Sequence, residues 1–398
     1  MEMTKRERMM NACRRLPTDR VPVAPDISNM VPARMTGKPF WDIYYRNDPP
    51  LWKAYLDAAE QLDIDAWFIE GTPDFIRKTP VEYNYSTELD SEGRMIRTTV
   101  VKTAKGDLVS REMCRRDDPP VPVEKLIKDF KEDFPKIKCM YSEIVGVDTS
   151  SYKEKKAALG ERGMMGAYCT PPGLHTLEGI FEGNLMACTY AYYDYPELFE
   201  ELCELITNDC VRQMEFYADM GIDSILTGGS GSITLQSPEI WEQLSLPGIK
   251  KITAMCRQAG IISGIHSCGK EMHLIKTCYE QTDLDYLNPL ELPPMGDCTL
   301  KECKERFGDK LCLMGNLHTT NTMLLGSPDK VKLESLKAIR DAGVGGGFIL
   351  STGDQCPRDT SDDNFAAMVN AVKEYGTYPL NIDRIESEIE RLERKTAE

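Results

Sequence analysis

Short apolar runs that predict buried strands alternate with longer segments of helical periodicity along most of this chain. Eight such runs can be identified, and each leads into a helical pattern. They cover residues 20–26, 66–70, 163–169, 224–228, 261–266, 285–289, 311–316 and 348–351. This alternation favours an α/β fold, a (β/α)8 TIM barrel, over an open doubly wound sheet. No Gly-x-Gly-x-x-Gly motif follows the first run, which argues against a dinucleotide-binding fold.

One segment breaks the alternation of strand and helix patterns. Residues 83–115 alternate in polarity, are rich in Thr and Val, and contain turn signals, which predicts two or three antiparallel strands. Residues 121–158 are charged and are predicted to be mostly helical. We therefore expect a single domain over residues 1–398, with residues 83–158 inserted into the barrel as an antiparallel β-hairpin and helical segment. Helical periodicity also predicts single helices over residues 238–260 and 328–342, and residues 383–398 predict a solvated surface helix.

Composition limits the compartment and the partners of the chain. A net charge of −16 argues against binding to bulk nucleic acid or to an anionic membrane. No apolar run approaches the length of a transmembrane helix, and the first residues lack the apolar segment of a signal peptide. The 14 Cys residues are scattered through a long chain, which indicates reduced thiols in a cytoplasmic protein. The sequence leaves open whether the chain forms a homo-oligomer.

A His and a Cys stand two residues apart at the end of the fifth predicted strand, in Ser263-Gly-Ile-His-Ser-Cys-Gly-Lys270. Because side chains alternate along a strand, His266 and Cys268 should project to the same side. Cys356 follows the last predicted strand and could bring a second thiolate. Two Cys and one His suit zinc and leave one coordination position open for Glu291, water or substrate. The spacing alone leaves open a plainer alternative, in which the His is a hydrogen-bonded barrel residue and both Cys residues only pack.

Further polar side chains follow the predicted strands, where the active site of such a barrel lies. Asp26 and Glu70 are candidate general acid or base groups, although each could instead form an ion pair or cap a helix. We expect Tyr168, His175 and Asn316 to contact the substrate, with a surface position as the alternative for His175. The glycine-rich loop of residues 228–231 could cradle an anion through its N–H groups or could simply turn the chain.

Four stretches of the chain resemble the uroporphyrinogen decarboxylase superfamily. They are Ile265-His-Ser-Cys-Gly-Lys270, Asn288-Pro-Leu-Glu291, Leu313-Met-Gly-Asn-Leu317 and Gly353-Asp-Gln-Cys-Pro-Arg-Asp-Thr-Ser-Asp-Asp-Asn364. The resemblance covers most of residues 162–376, with a weaker similarity in residues 5–25. It implies a TIM barrel. Decarboxylases of this superfamily bind the carboxylates of a porphyrinogen with an arginine-rich N-terminal segment and a nearby Asp. Here only Asp26 matches, and Arg34 is a poor replacement for the missing arginines.

The second branch of the superfamily comprises cobalamin-dependent methyltransferases, whose zinc motif His-x-Cys…Cys matches His266, Cys268 and Cys356. This resemblance implies transfer of a methyl group between a small substrate and the cobalt of a cobalamin carried by a partner corrinoid protein. The substrate could be a methoxylated aromatic, a methylamine or a thiol, with Glu291, Glu70 and Asp26 supplying or accepting a proton. The chain lacks the Asp-x-His-x-x-Gly signature of a cobalamin-binding module, so the partner must be a separate protein.

Two alternatives stay open after the resemblance is taken into account. The first is a cofactor-independent decarboxylase of a smaller acid, a lyase that needs no metal. The second is a barrel that binds metal or a corrinoid protein without turnover.

Overall fold

The computed structural model describes residues 2–397 and contains a sheet of seven parallel strands, each a short run of mostly buried residues. Its strands are β1 (Ala66–Phe68), β8 (Gly163–Tyr168), β9 (Ser224–Gly228), β10 (Ile262–His266), β11 (Tyr286–Asn288), β12 (Cys312–Leu317) and β13 (Phe348–Thr352), in that spatial order. All six strand pairs are parallel, so the carboxyl ends of the strands share one edge of the sheet. An α/β fold with a parallel sheet is therefore confirmed.

The first predicted strand, residues 20–26, is an extended segment rather than a regular strand. Ala24 N–H donates to Leu350 O of β13, and Asp65 N–H, just before β1, donates to Val23 O. The segment therefore hydrogen-bonds to both edge strands of the sheet. It contributes only an isolated bridge to β13 because Pro22 and Pro25 have no N–H to donate.

The helices follow the predicted order, with two corrections. They are α1 (Lys5–Cys13), α2 (Met30–Met35), α3 (Phe40–Tyr45), α4 (Leu51–Gln61), α5 (Phe130–Met140), α6 (Ser150–Leu159), α7 (Leu174–Leu177), α8 (Asn184–Asp194), α9 (Pro196–Met220), α10 (Pro238–Leu244), α11 (Leu246–Ala259), α12 (Met272–Gln281), α13 (Leu300–Phe307), α14 (Pro328–Ala342), α15 (Asp362–Tyr375) and α16 (Ile382–Ala397). The helix expected over residues 238–260 is two helices, divided at Ser245. A short 3-10 helix (Glu178–Ile180) and a π-helix (Thr319–Leu324) complete the set within residues 2–397.

The second correction concerns α16, which was expected to be a solvated surface helix. Ile385, Ile389 and Leu392 are buried, because their spacing of four and three residues places them on one face of the helix. Residues of this face belong to the same hydrophobic core as Leu336 of α14. The helix is therefore packed onto the α/β layer, and only its other face is solvated.

The segment between β1 and β8 carries two antiparallel sheets. One consists of β3 (Glu82–Leu89), β4 (Met95–Thr103), β5 (Gly106–Cys114) and β6 (Val121–Glu124). The other pairs β2 (Asp74–Arg77) with β7 (Ile144–Asp148). Residues 121–158 are thus helical only in α5 and α6, and the expectation of a mostly helical stretch was wrong for the two strands that it contains.

A buried ion-pair network fastens α1 to the segments that flank the edge of the sheet. The Arg8 guanidinium is 1% exposed and donates to Asp65 Oδ1 at 2.6 Å and to both carboxylate oxygens of Asp19. Asp65 in turn accepts the Val23 N–H at 2.8 Å. Burial of a charge is tolerated here because every partner is charged or hydrogen-bonded.

No helix within residues 2–397 combines the length and the apolar character that crossing a membrane requires.

Candidate active site at the carboxyl ends of the strands

A cavity of about 440 Å³ opens at the carboxyl ends of the parallel strands. Its wall contains the residues that follow several strands, together with residues of the segment beside β13. They include Asp26, Ser28, Trp67, Phe68, Glu70, Tyr168, Thr227, the glycine-rich loop from Gly228 to Ser230, His266, Asp354 and Gln355. Ligand sites of parallel α/β sheets lie at this edge, so the cavity is the candidate active site.

Asp26 is held rigidly in the cavity wall. Its N–H donates to the Thr352 hydroxyl at 3.0 Å, and its carboxylate accepts the Ser28 N–H at 2.9 Å. Burial raises the pKa of the Asp26 carboxyl, while the hydrogen bonds from Ser28 and the neighbouring His266 act in the opposite direction. The predicted acid or base candidate is therefore in the cavity and is not paired with a Lys or Arg in any hydrogen bond or ion pair described here.

His266 and Cys268 lie at the end of β10, as expected. His266 lines the cavity, and its Nε2 is 3.9 Å from Asp354 Oδ1. Cys268 is half-buried, and burial raises the pKa of its thiol to about 11, although hydrogen bonds from Ser230 and Gly231 lower it. The next residue has a φ of +88°, and a Cβ there would lie 2.2 Å from Thr234 Oγ1, so this turn requires glycine.

Cys356 is fully buried beneath the loop that follows β13. Its N–H donates to Asp26 O at 2.8 Å, and its thiol is hydrogen-bonded to Thr352. Burial raises the pKa of the Cys356 thiol far above its usual range, and the negative charges of Asp26 and Asp354 raise it further. The third predicted metal ligand therefore borders the same region as the other two.

Asp354 lies near the predicted metal ligands. It lies next to His266 and acts electrostatically on the thiols of Cys268 and Cys356. However, no three His, Cys, Asp or Glu side chains within residues 2–397 are positioned to hold a metal ion in this conformation. The zinc centre therefore stays a prediction. No role was predicted for Asp354, although its position between β13 and Cys356 was a visible signal.

Glu70 and Tyr168 also line the cavity, at the ends of β1 and β8. Lys155 Nζ donates to Glu70 O at 3.0 Å and lies 3.7 Å from its carboxylate. Burial raises the pKa of Glu70, and Lys155 opposes this shift. Burial, followed by the charges of Asp26 and Glu70, raises the pKa of Tyr168 to about 12. The Tyr168 hydroxyl therefore remains a hydrogen-bond donor at neutral pH.

Glu291 and Asn316 are buried beside the main cavity rather than in its wall. The Glu291 carboxylate accepts the N–H of Gly269, immediately after Cys268, and burial raises its pKa. Asn316 Nδ2 donates to Leu290 O at 2.8 Å. Both residues border a separate small pocket that also includes His318. Their observed contacts brace the loops after β10 and β11, whereas direct contact of Asn316 with the substrate stays a prediction.

His175 is buried below the glycine-rich loop of residues 228–231. Its Nδ1 is 2.7 Å from Gln236 Nε2, and its Nε2 has no hydrogen-bond partner among the described residues. Burial lowers the pKa of His175 to about 4, so the imidazole is neutral. A Cβ on Gly229 would lie 3.3 Å from the imidazole. The alternative of a surface His was therefore wrong, and His175 supports the cavity wall from behind.

The aromatic wall of the cavity was missed by the sequence analysis. Tyr55, Trp67 and Phe68 line it, and each is almost fully buried. Tyr55 Oη donates to Trp67 O, and Trp67 Nε1 donates to Tyr286 Oη at 3.0 Å, which fixes the indole in place. Tyr55 lies on α4, and Trp67 and Phe68 lie on β1. Buried aromatic residues of helices and strands are usually core residues, so these positions carried no signal of a cavity.

Comparison with known proteins identifies the family. The family model described as uroporphyrinogen decarboxylase matches residues 176–375. A uroporphyrinogen decarboxylase from Chlorobaculum parvum is 24% identical over 204 residues, which are 50% of this chain and 56% of that protein. The methylcobamide:CoM methyltransferase MtaA from Methanosarcina barkeri is 26% identical over 180 residues, which are 45% of this chain and 50% of that protein.

The chain thus spans about half the length of the curated relatives that it matches. A solved methyltransferase from Methanosarcina mazei shares the fold, with a TM-score of 0.63 and 17% sequence identity, over 94% of this chain and 99% of that one. The family match covers half of the sequence and includes five strands of the seven-stranded sheet, β9 to β13, together with the helices between them. The chain belongs to the uroporphyrinogen decarboxylase family.

Proposed function

We propose that this protein is a zinc-dependent methyltransferase that moves a methyl group between a small substrate and the cobalt of a corrinoid carried by a separate protein. The observation that supports the proposal is the position of His266 in the cavity wall, 3.9 Å from Asp354, with Cys268 in the loop after the same strand and Cys356 in the loop after β13. The similarity to a methylcobamide:CoM methyltransferase supports the same reaction class.

The charge of the cavity supports a methyltransferase over a porphyrinogen decarboxylase. Asp26, Glu70 and Asp354 line the cavity, and no Lys or Arg is among the described residues of its wall. A substrate with many carboxylates would be repelled there, because uncompensated like charges are costly in a partly buried site. Arg34, the nearest replacement for the missing arginines, is paired with Asp362 at 2.7 Å and does not line the cavity.

The donor set near the cavity fits zinc in its chemistry. One imidazole and two thiols, all at the ends of β10 and β13, are ligands that zinc prefers and that magnesium and calcium do not. Zinc held by His266, Cys268 and Cys356 would supply Lewis-acid chemistry, polarising an ether oxygen or favouring the thiolate form of a thiol. The raised thiol pKa values make ligand deprotonation on metal binding a requirement of this proposal.

The remaining polar side chains of the cavity can orient the substrate and handle a proton. Burial raises the pKa values of Asp26 and Glu70, which is the direction that suits carboxyl groups that accept and return a proton. The protonated Tyr168 hydroxyl can donate a hydrogen bond at the mouth. Glu291 holds the N–H that follows Cys268 and so can fix the direction of that thiol.

The proposal includes the closed barrel and the single domain that the sequence predicted. Residues 20–26 hydrogen-bond to Leu350 and to Asp65, which supports the proposal that this segment is the eighth strand of a closed (β/α)8 barrel. Residues 83–158 would then be an insertion that stands beside the mouth, since Arg358 Nη1 donates to Asp117 O at 2.6 Å. A surface for the corrinoid protein at this mouth follows from the same arrangement.

A second candidate function is a cofactor-independent decarboxylase of a smaller acid. It is favoured by the decarboxylase relative at 24% identity and by the name of the matching family model. It predicts that the purified chain contains no bound metal and that a Cys268→Ser variant keeps its activity.

Elemental analysis of the purified chain separates the two candidates. We expect about one zinc per chain for the wild type and a loss of most of it in His266→Ala and Cys356→Ser variants. Cys139→Ser is the matched control, because Cys139 lies on α5, outside the cavity wall, and should leave the zinc content unchanged. Less than a tenth of one zinc per wild-type chain would contradict the proposal.

Methyl transfer is tested with a corrinoid protein in its Co(I) state. Mixing it with the zinc-loaded chain and a panel of methyl compounds should produce the absorption spectrum of methylcobalamin with at least one compound. A spectrum that stays unchanged with ethers, amines and thiols would leave only the binding of metal or partner without turnover.

A further inference from the structure

The cavity is acidic and aromatic at the same time, a combination that the family assignment does not require. Asp26, Glu70 and Asp354 carry the carboxylates, and Lys155 reaches only Glu70, at 3.7 Å. No Lys or Arg lines the wall within residues 2–397. The opening therefore carries a negative charge that a ligand of positive charge would balance.

A bound zinc ion would not remove this imbalance. Two thiolates and one neutral imidazole cancel the charge of Zn²⁺, so the carboxylates of the wall would still lack a counter-charge. Asp26 is 7% exposed, which means that water screens its charge only weakly. A cation that enters the cavity would supply the missing counter-charge.

Part of the cavity wall is aromatic. Tyr55, Trp67, Phe68 and Tyr168 all line the cavity, and none of the Lys or Arg side chains in the described residues stacks on their rings. Aromatic faces attract cations and, above all, methylated ammonium groups, which cannot be held by hydrogen bonds alone. The indole of Trp67 is held in place by Tyr286 and needs no rearrangement to serve this purpose.

We propose that this cavity binds small organic cations, of the methylated ammonium class, as the substrate of the proposed reaction. This inference rests on the proposed function, since it names the substrate class of the same site. The carboxylates recognise the charge, and the aromatic wall lies against the methyl groups. Anionic methyl compounds, such as methoxybenzoates, are excluded by the same carboxylates.

Calorimetric titration of the zinc-loaded full chain tests the inference without turnover. The probes are choline, its neutral isostere 3,3-dimethylbutan-1-ol, and the anion 4-methoxybenzoate. We expect choline to bind about tenfold or more tightly than the neutral isostere, and the anion to bind most weakly. Equal or tighter binding of the isostere or of the anion would overturn the inference.

Variants assign the selectivity to the cavity. Glu70→Gln should weaken choline binding about fivefold and leave the isostere unchanged, because only the cation interacts with the carboxylate charge. Glu200→Gln is the matched control: it removes one charge from the exposed surface of α9, outside the cavity, and should change neither affinity. An equal loss of choline affinity in both variants would mean that the overall negative charge of the protein attracts the cation, and the inference would fail.

The aromatic contribution is measured at Tyr168. Its side chain is exposed, so it can be replaced without disturbing the core. Tyr168→Phe keeps the ring and should keep choline affinity, whereas Tyr168→Ala should weaken it severalfold. Equal affinity in both variants would contradict an aromatic role. Choline selectivity without zinc or methyl transfer would defeat the proposed function alone, whereas methyl transfer from a neutral ether without choline binding would defeat this inference alone.

Discussion

At the scale of single residues, Asp354 connects the predicted metal ligands to the backbone of the site. It has a φ of +147°, a value that non-glycine residues rarely adopt. Thr352 holds it there, because the Thr352 hydroxyl donates to Asp354 O at 2.7 Å while accepting the N–H of Asp26. The strained conformation directs the carboxylate toward His266, which argues that the loop is shaped for the site rather than for stability.

Replacing Asp354 separates strain from function. Asp354→Gly should be more stable than Asp354→Ala by about 1 kcal/mol, because glycine adopts this φ without steric cost and that gain exceeds its greater unfolded-state entropy. Both variants should lose methyl transfer. Urea unfolding of the two variants measures the difference, and an alanine variant as stable as the glycine variant would refute the strain.

At the scale of elements, α16 is fastened to α14 by an apolar face and by ion pairs at its margin. Glu388 lies 3.1 Å from Lys332 of α14 and 2.7 Å from Arg391. The hydrogen bond from Arg391, together with that from Lys332, lowers the pKa of Glu388 from 4.5 to about 2. Glu388 therefore stabilises the docked helix as an anion.

The depressed pKa sets the pH range in which this contribution disappears. It is fully present above pH 4.5, the ordinary value, and is lost as the pH falls toward 2. After allowance for solvent screening we expect it to be roughly 1–2 kcal/mol. Glu388→Gln should thus be less stable than the wild type at pH 5.5, and most of this deficit should be gone at pH 2.5. Unfolding measured at both values tests this, and a gap that stays constant would contradict it.

The elements also show where sequence patterns suffice. The strand Ser224–Gly228 and the helix Pro328–Ala342 were predicted with their observed bounds, because each is delimited by local signals and buries a regular apolar pattern. The prediction of a solvated helix was wrong for α16 because the many charged residues of this segment masked the spacing of its apolar residues. Residues 20–26 could not be recognised as an irregular edge segment, since their pairing depends on Asp65 and Leu350, far away in the sequence.

The sequence predicted which side chains lie at the strand ends, but it did not predict how the loops pack around them. His266, Asp26, Glu70 and Tyr168 reach the cavity because each ends a strand or follows one. The burial of His175 and the separate pocket of Glu291 depend on how the loops pack over one another, which local sequence does not encode. The aromatic wall was hidden for the same reason, because a core residue and a cavity residue look alike in a strand.

At the scale of the whole molecule, a few buried contacts join the N-terminal segments to the sheet. Arg8 is central, because it links α1 to Asp19 and to Asp65, and Asp65 also binds the backbone of Val23. Both edges of the sheet depend on this segment, so a defect in the ion-pair network should weaken the entire fold.

Replacement of Arg8 measures this dependence. Arg8→Gln should destabilise the protein by about 3–5 kcal/mol, because it leaves the Asp65 carboxylate buried without a charged partner. Arg46→Gln is the matched control, since the Arg46 side chain is 60% exposed in its pair with Asp42 and should cost less than about 1 kcal/mol. Both variants are compared by chemical unfolding. A similar loss of unfolding free energy in the two would contradict a special role of the Arg8 network in stability.

The most direct measurement is X-ray absorption at the zinc edge of the zinc-loaded protein. The proposed site predicts two sulfur neighbours at about 2.3 Å and at least one nitrogen neighbour at about 2.0–2.1 Å, with one sulfur lost in the Cys356→Ser variant. A zinc ion surrounded only by oxygen and nitrogen, or a spectrum that Cys356→Ser leaves unchanged, would contradict the account.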